Sequence, residues 1–163
     1  MVETIERTTR VAALDQVIRQ ITWQAQKQSL HTLSRPDIAL TMPQMVTLYA
    51  IRAAQTCRMS DLAEITQQSA GTLTGIVDRL IEDGLVGRVR DVEDRRVVQV
   101  ALTAAGEERL ARVEMARYED MAQMLARFSM EQLCTLEDLL CLLLSGINDM
   151  LAYEPAHAYH PAG

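Results

Sequence analysis

Apolar residues recur first at a helical interval. Between residues 9 and 31, Val11, Leu14, Ile18, Ile21 and Ala25 stand three or four positions apart, the period of one face of a long helix. The stretch LSRPDIALTMPQ breaks that rhythm with Pro36 and Pro43. Inside it, Thr41 and Gln44 have capping-box spacing and Pro43 falls in a first turn, where its missing N–H does no harm. A second helix is therefore predicted through MPQMVTLYAIRAA. Ser60 followed by Asp61 reads as a third start, an N-cap with an acid at the positive end of the helix dipole, and predicts a short helix over DLAEIT. The polar QQSAG then turns the chain, and TLTGIVDRLIED puts Leu73, Ile76, Val77, Leu80 and Ile81 on one face until Gly84 ends the helix as its C′ residue. Two short helices around a tight polar turn make a helix-turn-helix candidate.

The period then changes. LVGRVR and RVVQVAL alternate or are β-branched, and DVEDR between them is too polar to be anything but a turn, so a hairpin follows the helix-turn-helix directly. Thr103 predicts the cap of a helix running to about Phe128, with Leu110, Val113, Met121 and Met124 as its apolar set. Ser129 caps another helix, and LCTLEDLLCLLLSGINDML is apolar on almost every side. A helix so apolar must be covered on most of its surface, which in a small domain points to a second subunit. The expected fold class is mostly α with a small β-hairpin wing.

With 163 residues the chain is long enough for one compact domain plus an oligomerisation element. Its net charge of −6 is unevenly spread. Residues 1–34 hold four basic against three acidic side chains and 35–60 three against one, whereas 61–104 hold five against eight and 105–163 four against ten. A surface for nucleic acid would have to be locally basic and lie in the first two thirds. No apolar run reaches 18 residues, and MVETIERTTR is charged where a signal peptide would be apolar, so a cytoplasmic location is expected. Cys57, Cys134 and Cys141 form no CxxC and no cluster with histidine; reduced cysteines packed in helices, with no metal and no cofactor, are expected. No Gly-rich phosphate loop, nucleophile elbow or carboxylate pair in a shaped context occurs, so catalysis is not expected.

Four stretches, LTMPQMVTL (40–48), MSDLAEIT (59–66), GTLTGIVDRLIEDGLVGR (71–88) and DVEDRRVVQVALTAAG (91–106), together with the order of the flanking helices, resemble the MarR family of bacterial winged-helix transcription regulators. The DxxDRR…LTxxG segment is the most specific of them. The resemblance implies a dimerisation helix at 1–34, a winged helix-turn-helix at 35–102, further dimerisation helices at 103–151 and a flexible tail at 152–163. It implies a homodimer that binds a palindromic operator on double-stranded DNA as a regulator, a repressor in the first instance, and is released by a small-molecule effector. The alternative is a winged-helix module for protein contacts without specific DNA binding.

On that reading, the second helix of the helix-turn-helix offers Gln67, Gln68, Ser69, Thr72 and Thr74 to base edges, short or amide side chains that both donate and accept hydrogen bonds. Gly71 and Gly75 would permit close approach. Arg95 or Arg96 at the wing would meet the minor groove or its phosphates, with Arg88 and Arg90 on the strand beneath and Asp91 and Asp94 holding the guanidiniums in place. Family members released by aromatic or phenolic acids hold them between the dimerisation helices and the winged helix; Trp23, His31, Met42, Met45 and Tyr49 are the candidates for such a crevice, against an ordinary packing role for each. A peroxide-sensing branch needs a reactive cysteine near the start of the first helix, which is missing here, and a zinc-sensing branch needs clustered histidines, whereas His31, His157 and His160 are scattered.

Overall fold

The computed structural model describes residues 2–90 and 98–152, with side chains for 4–89 and 99–152. The hairpin tip with Asp91, Asp94, Arg95 and Arg96, the Arg90 side chain, and the tail with His157 and His160 lie outside the described residues. The elements run α1 (Val2–Leu33), α2 (Met42–Ala54), β1 (Cys57–Arg58), α3 (Met59–Thr66), α4 (Ala70–Glu82), β2 (Val86–Arg90), β3 (Val98–Leu102), α5 (Ala104–Leu125) and α6 (Met130–Ala152). Two compact units result, one through Glu119 and one from Asp120.

Local chemistry sets most boundaries where the sequence places them. At α2, Gln44 N–H donates to Thr41 Oγ1 at 3.4 Å and Thr41 N–H to Gln44 Oε1 at 2.8 Å, closing the capping box. Gly84 ends α4 at φ 72°, in the left-handed region where a side chain is disfavoured. Thr103 Oγ1 accepts from Gly106 N–H at 3.1 Å and donates to the Gly84 carbonyl at 2.7 Å, so one hydroxyl both caps α5 and ties it to the end of α4. Ser129 and Gln132 cap each other reciprocally before α6.

The expected hairpin gains a strand, and one helix start is corrected. The sheet has three antiparallel strands in the order β1-β3-β2, because Cys57 pairs with Val100 and Arg58 with Gln99 beside the β2–β3 hairpin. Ser60 does not cap α3. The helix starts at Met59 with Arg58 as its N-cap, and the Ser60 hydroxyl donates to Asp61 Oδ1 instead. Pairing of β1 with β3 hands the chain directly from strand to helix, so the boundary falls two residues earlier than the serine suggests. Cys57 consequently lies on a strand, buried, while Cys134 and Cys141 are exposed on α6.

The core of the first unit gathers Leu48 and Ile51 from α2, Leu62 from α3, Leu73 and Leu80 from α4, and Val100 and Leu110 from β3 and α5. Arg109 and Arg112 donate to the carbonyls of Ile38 and Asp37, fastening the loop between α1 and α2 to α5. The predicted apolar face of α1 is not in this core: Val11, Leu14, Ile18 and Ile21 are all exposed. In the second unit, Met121 and Met124 are exposed and α6 buries no residue completely. Its Leu139, Leu142 and Met150 are 60%, 72% and 76% exposed, and Leu125, Leu133, Leu136, Leu140 and Leu144 line an apolar hollow of about 370 Å³. No helix among the described residues is long and apolar enough to cross a membrane.

Candidate nucleic-acid interface

The turn between α3 and α4 is built by Gln67 in the left-handed conformation (φ 52°, ψ 36°), whose N–H closes back on the end of α3, and by Ser69 in extended geometry at the N-cap of α4. Leu73, Val77 and Leu80 hold α4 against the core. The helix therefore turns Gly71, Thr72, Thr74, Gly75 and Asp78 to solvent. A Cβ on Gly71 or Gly75 would have no other heavy atom within 4 Å among the described residues, so a close approach to the helix backbone is open there.

The five residues expected to read bases are brought together but are not equivalent. Ser69 Oγ accepts from Thr72 N–H at 3.2 Å and lies 2.8 Å from Thr72 Oγ1, so it is engaged in capping the helix. Thr74 Oγ1 donates to the Ala70 carbonyl at 2.7 Å, leaving the hydroxyl lone pairs and the methyl facing outward. Gln67 is exposed. Gln68 is half-buried, its Oε1 enclosed and without a hydrogen-bond partner among the described residues.

The β2 strand reaches this helix through a contact that sequence reading passed over. Arg88 Nη2 lies 2.9 Å from Asp78 Oδ1, joining the strand beneath the wing to the exposed stripe of α4. Asp78 follows Thr74 by four residues, so helical spacing alone places it on the stripe that carries the base-reading candidates. On the same helix Arg79 pairs with Glu82 at 3.2 Å and Asp83 at 3.4 Å, near its C-terminal end.

The effector candidates disperse. Met42 and Met45 line a cleft of about 210 Å³ with Thr32, Leu33, Val113 and Arg117, at the meeting of α1, α2 and α5. Trp23 and His31 are exposed and line no part of it; the Trp23 ring has Lys27 Nζ 5.8 Å from its centroid. Tyr49 packs against the core with its hydroxyl enclosed and without a hydrogen-bond partner among the described residues, and the Arg52 guanidinium lies 4.9 Å from its ring. Arg52 in turn donates to Glu114 at 2.5 Å; that hydrogen bond raises the Arg52 pKa and holds the Glu114 carboxyl below its usual range. The pair links α2 to α5 beside the cleft residues. Burial, with Asp61 nearby, pushes the Cys57 thiol up and away from the reactive thiolate. No group of three or more possible metal ligands occurs among the described residues.

Comparison with known proteins places this geometry. A family model described as the MarR family matches residues 40–98. Two transcriptional regulators of helix-turn-helix type from Bacillus subtilis (strain 168) are similar: YfiV, 42% identical over 39% of this chain and 40% of its own length, and YsmB, 31% identical over 61% of this chain and 68% of its own. The match to YfiV thus spans well under half of that relative. A solved structure of a MarR family protein from Bacillus stearothermophilus is 30% identical, covers 88% of this chain and 97% of its own, and superposes with a TM-score of 0.73. These relatives are transcriptional regulators, not enzymes. At 30% identity across 97% of that structure, with the family model matching over the helix-turn-helix and wing strands, the chain belongs to the MarR family.

Proposed function

We propose that the chain is a sequence-specific DNA-binding transcriptional regulator, a repressor, that reads an inverted-repeat operator as a homodimer. The observation that carries this reading is the Arg88–Asp78 contact, which ties the strand leading into an arginine-bearing wing to the exposed face of α4, one turn beyond Thr74. A helix presented in this way, with hydroxyls, methyls and a left-handed amide residue at its start, suits the major groove, and cations beside it suit the backbone. The uncovered apolar surfaces of α1 and α6 support the dimer.

Selection of binding sites from randomised DNA tests it. Two recognition helices about a two-fold axis reach successive major grooves ~34 Å apart, so an inverted repeat with half-site centres about 10 base pairs apart should be enriched. Thr72→Ala should alter preference at one or two positions only. Replacing Arg95 and Arg96 together with alanine should instead weaken all sequences alike, by about 1–3 kcal/mol, and flatten the salt dependence. If the wild-type protein enriches no sequence, the protein-contact module is the better reading, and the net charge of −6 is what favours it.

The cleft between α1, α2 and α5 is proposed as the effector site. At about 210 Å³ it is smaller than the ~300 Å³ at the low end of ordinary ligand pockets, which suits a single-ring acid. Its carboxylate would face Arg117 and its ring Met42, Met45, Leu33 and Val113. Benzoate-type acids should raise the melting temperature and release DNA, and Arg117→Gln should abolish both effects. Release that survives in Arg117→Gln would place the effector elsewhere.

A further inference from the structure

The stripe of α4 that would face DNA is not purely a donor surface. Gly71, Thr74 and Asp78 follow one another at steps of three and four, so a carboxylate stands in line with the base-reading candidates. A negative charge there opposes a polyanion unless it has another task. Its neighbour is the Arg88 guanidinium at 2.9 Å, with the two side chains 50% and 64% exposed. In the closed pair the cation is neutralised and releases no counterion from DNA. An ion pair so open to water is also weak, so it yields readily to a phosphate offered in the right place.

We propose that Asp78 stands in for a DNA phosphate on Arg88 and thereby withholds that charge from non-cognate DNA. The inference rests on the reading that α4 and the wing face the duplex. On a non-cognate duplex, opening the pair leaves the Asp78 carboxylate unpaired against the backbone, and nothing compensates. On the operator, the base contacts made by the start of α4 accompany the exchange, and Arg88 transfers to a phosphate. Asp78 is thus a specificity-determining residue that binds no base.

The test uses the full chain, a short mixed-sequence duplex and the DNA upstream of the protein's own gene, with binding followed by fluorescence anisotropy over a salt series. Asp78→Asn keeps the shape and removes the charge at an exposed position. It should tighten binding to the mixed-sequence duplex by about three- to eightfold near 0.1 M salt and steepen the slope of log K against log salt by about 0.9, the weight of one phosphate contact. In an Arg88→Gln background the same substitution should give less than half that gain, because no cation is left to free. Weaker binding by Asp78→Asn, an unchanged slope, or an equal gain in both backgrounds would overturn the inference, the last by reducing Asp78 to a plain repulsive charge. Wild-type protein that binds neither duplex would overturn the DNA-binding reading itself, a result distinct from the other three.

Discussion

Replacing Gly106 with alanine is expected to cost the fold about 3 kcal/mol or more, the range of an overpacked core site that cannot relax. A Cβ at Gly106 would stand 2.2 Å from the Leu85 carbonyl oxygen and 3.1 Å from its carbon, with Leu102 Cδ2 at 3.3 Å. The obstacle is backbone, not the end of a flexible side chain. That carbonyl already accepts from Thr103 N–H at 3.1 Å, and Leu85 is 1% exposed, so neither can step aside. For a chain of this length the melting temperature should fall by roughly 10 °C, at ~2–4 °C per kcal/mol. Gly75→Ala has the opposite sign. It lies in the interior of α4 with open space around it, and alanine should raise stability by about 0.5–1 kcal/mol through helix propensity. Calorimetry of the two variants decides the matter; a Gly106→Ala protein as stable as the wild type would show that α5 does not seat against the α4–β2 turn as described.

The largest effect on function is expected from Leu139→Glu combined with Leu142→Glu. Both leucines are exposed in the single chain, so the change should leave the folded protomer within about 0.5 kcal/mol of its stability. In a two-fold dimer each leucine counts twice, and each is worth about 1.5–3 kcal/mol when buried, so charging them should abolish association. Wild-type protein should sediment at twice the 18.2 kDa of the chain and the variant at once that mass. Losing the second half-site should weaken binding to an inverted repeat by about 10²-fold or more, while binding to an isolated half-site stays unchanged. Removing residues 129–163 is the coarser version and should leave uncovered apolar surface that aggregates. A wild-type monomer at micromolar concentration, or a dimeric double variant with full affinity, would sink the dimer.

Much of the site was legible because its signals are local. Thr41 with Gln44, Gly84 after α4, and Thr103 three residues ahead of Gly106 each act within one helical turn, and each occupies the position expected of it. Asp78 was legible too, four residues after Thr74, but it was read only as part of an amphipathic helix. Base-reading candidates were less separable. Thr72 and Ser69 look alike in sequence, yet the serine hydroxyl is occupied by the cap and Gln68 carries an enclosed amide oxygen. Of the five effector candidates only Met42 and Met45 share a cleft, because position along α1 and α2 says nothing about which side meets α5.

By itself the sequence determined the helices, their caps apart from that of α3, the two strands of the hairpin and the family, since periodicity and capping depend on residues within about four positions of each other. Only the tertiary structure decided that Cys57 and Arg58 add a third strand, that Arg88 meets Asp78, that Arg117 completes the cleft, and why the LTxxG motif requires glycine at 106. Those outcomes depend on which distant segments the core brings into contact. A strand of two residues, an ion pair across a turn and a steric limit set by the Leu85 carbonyl leave no periodic trace along the chain.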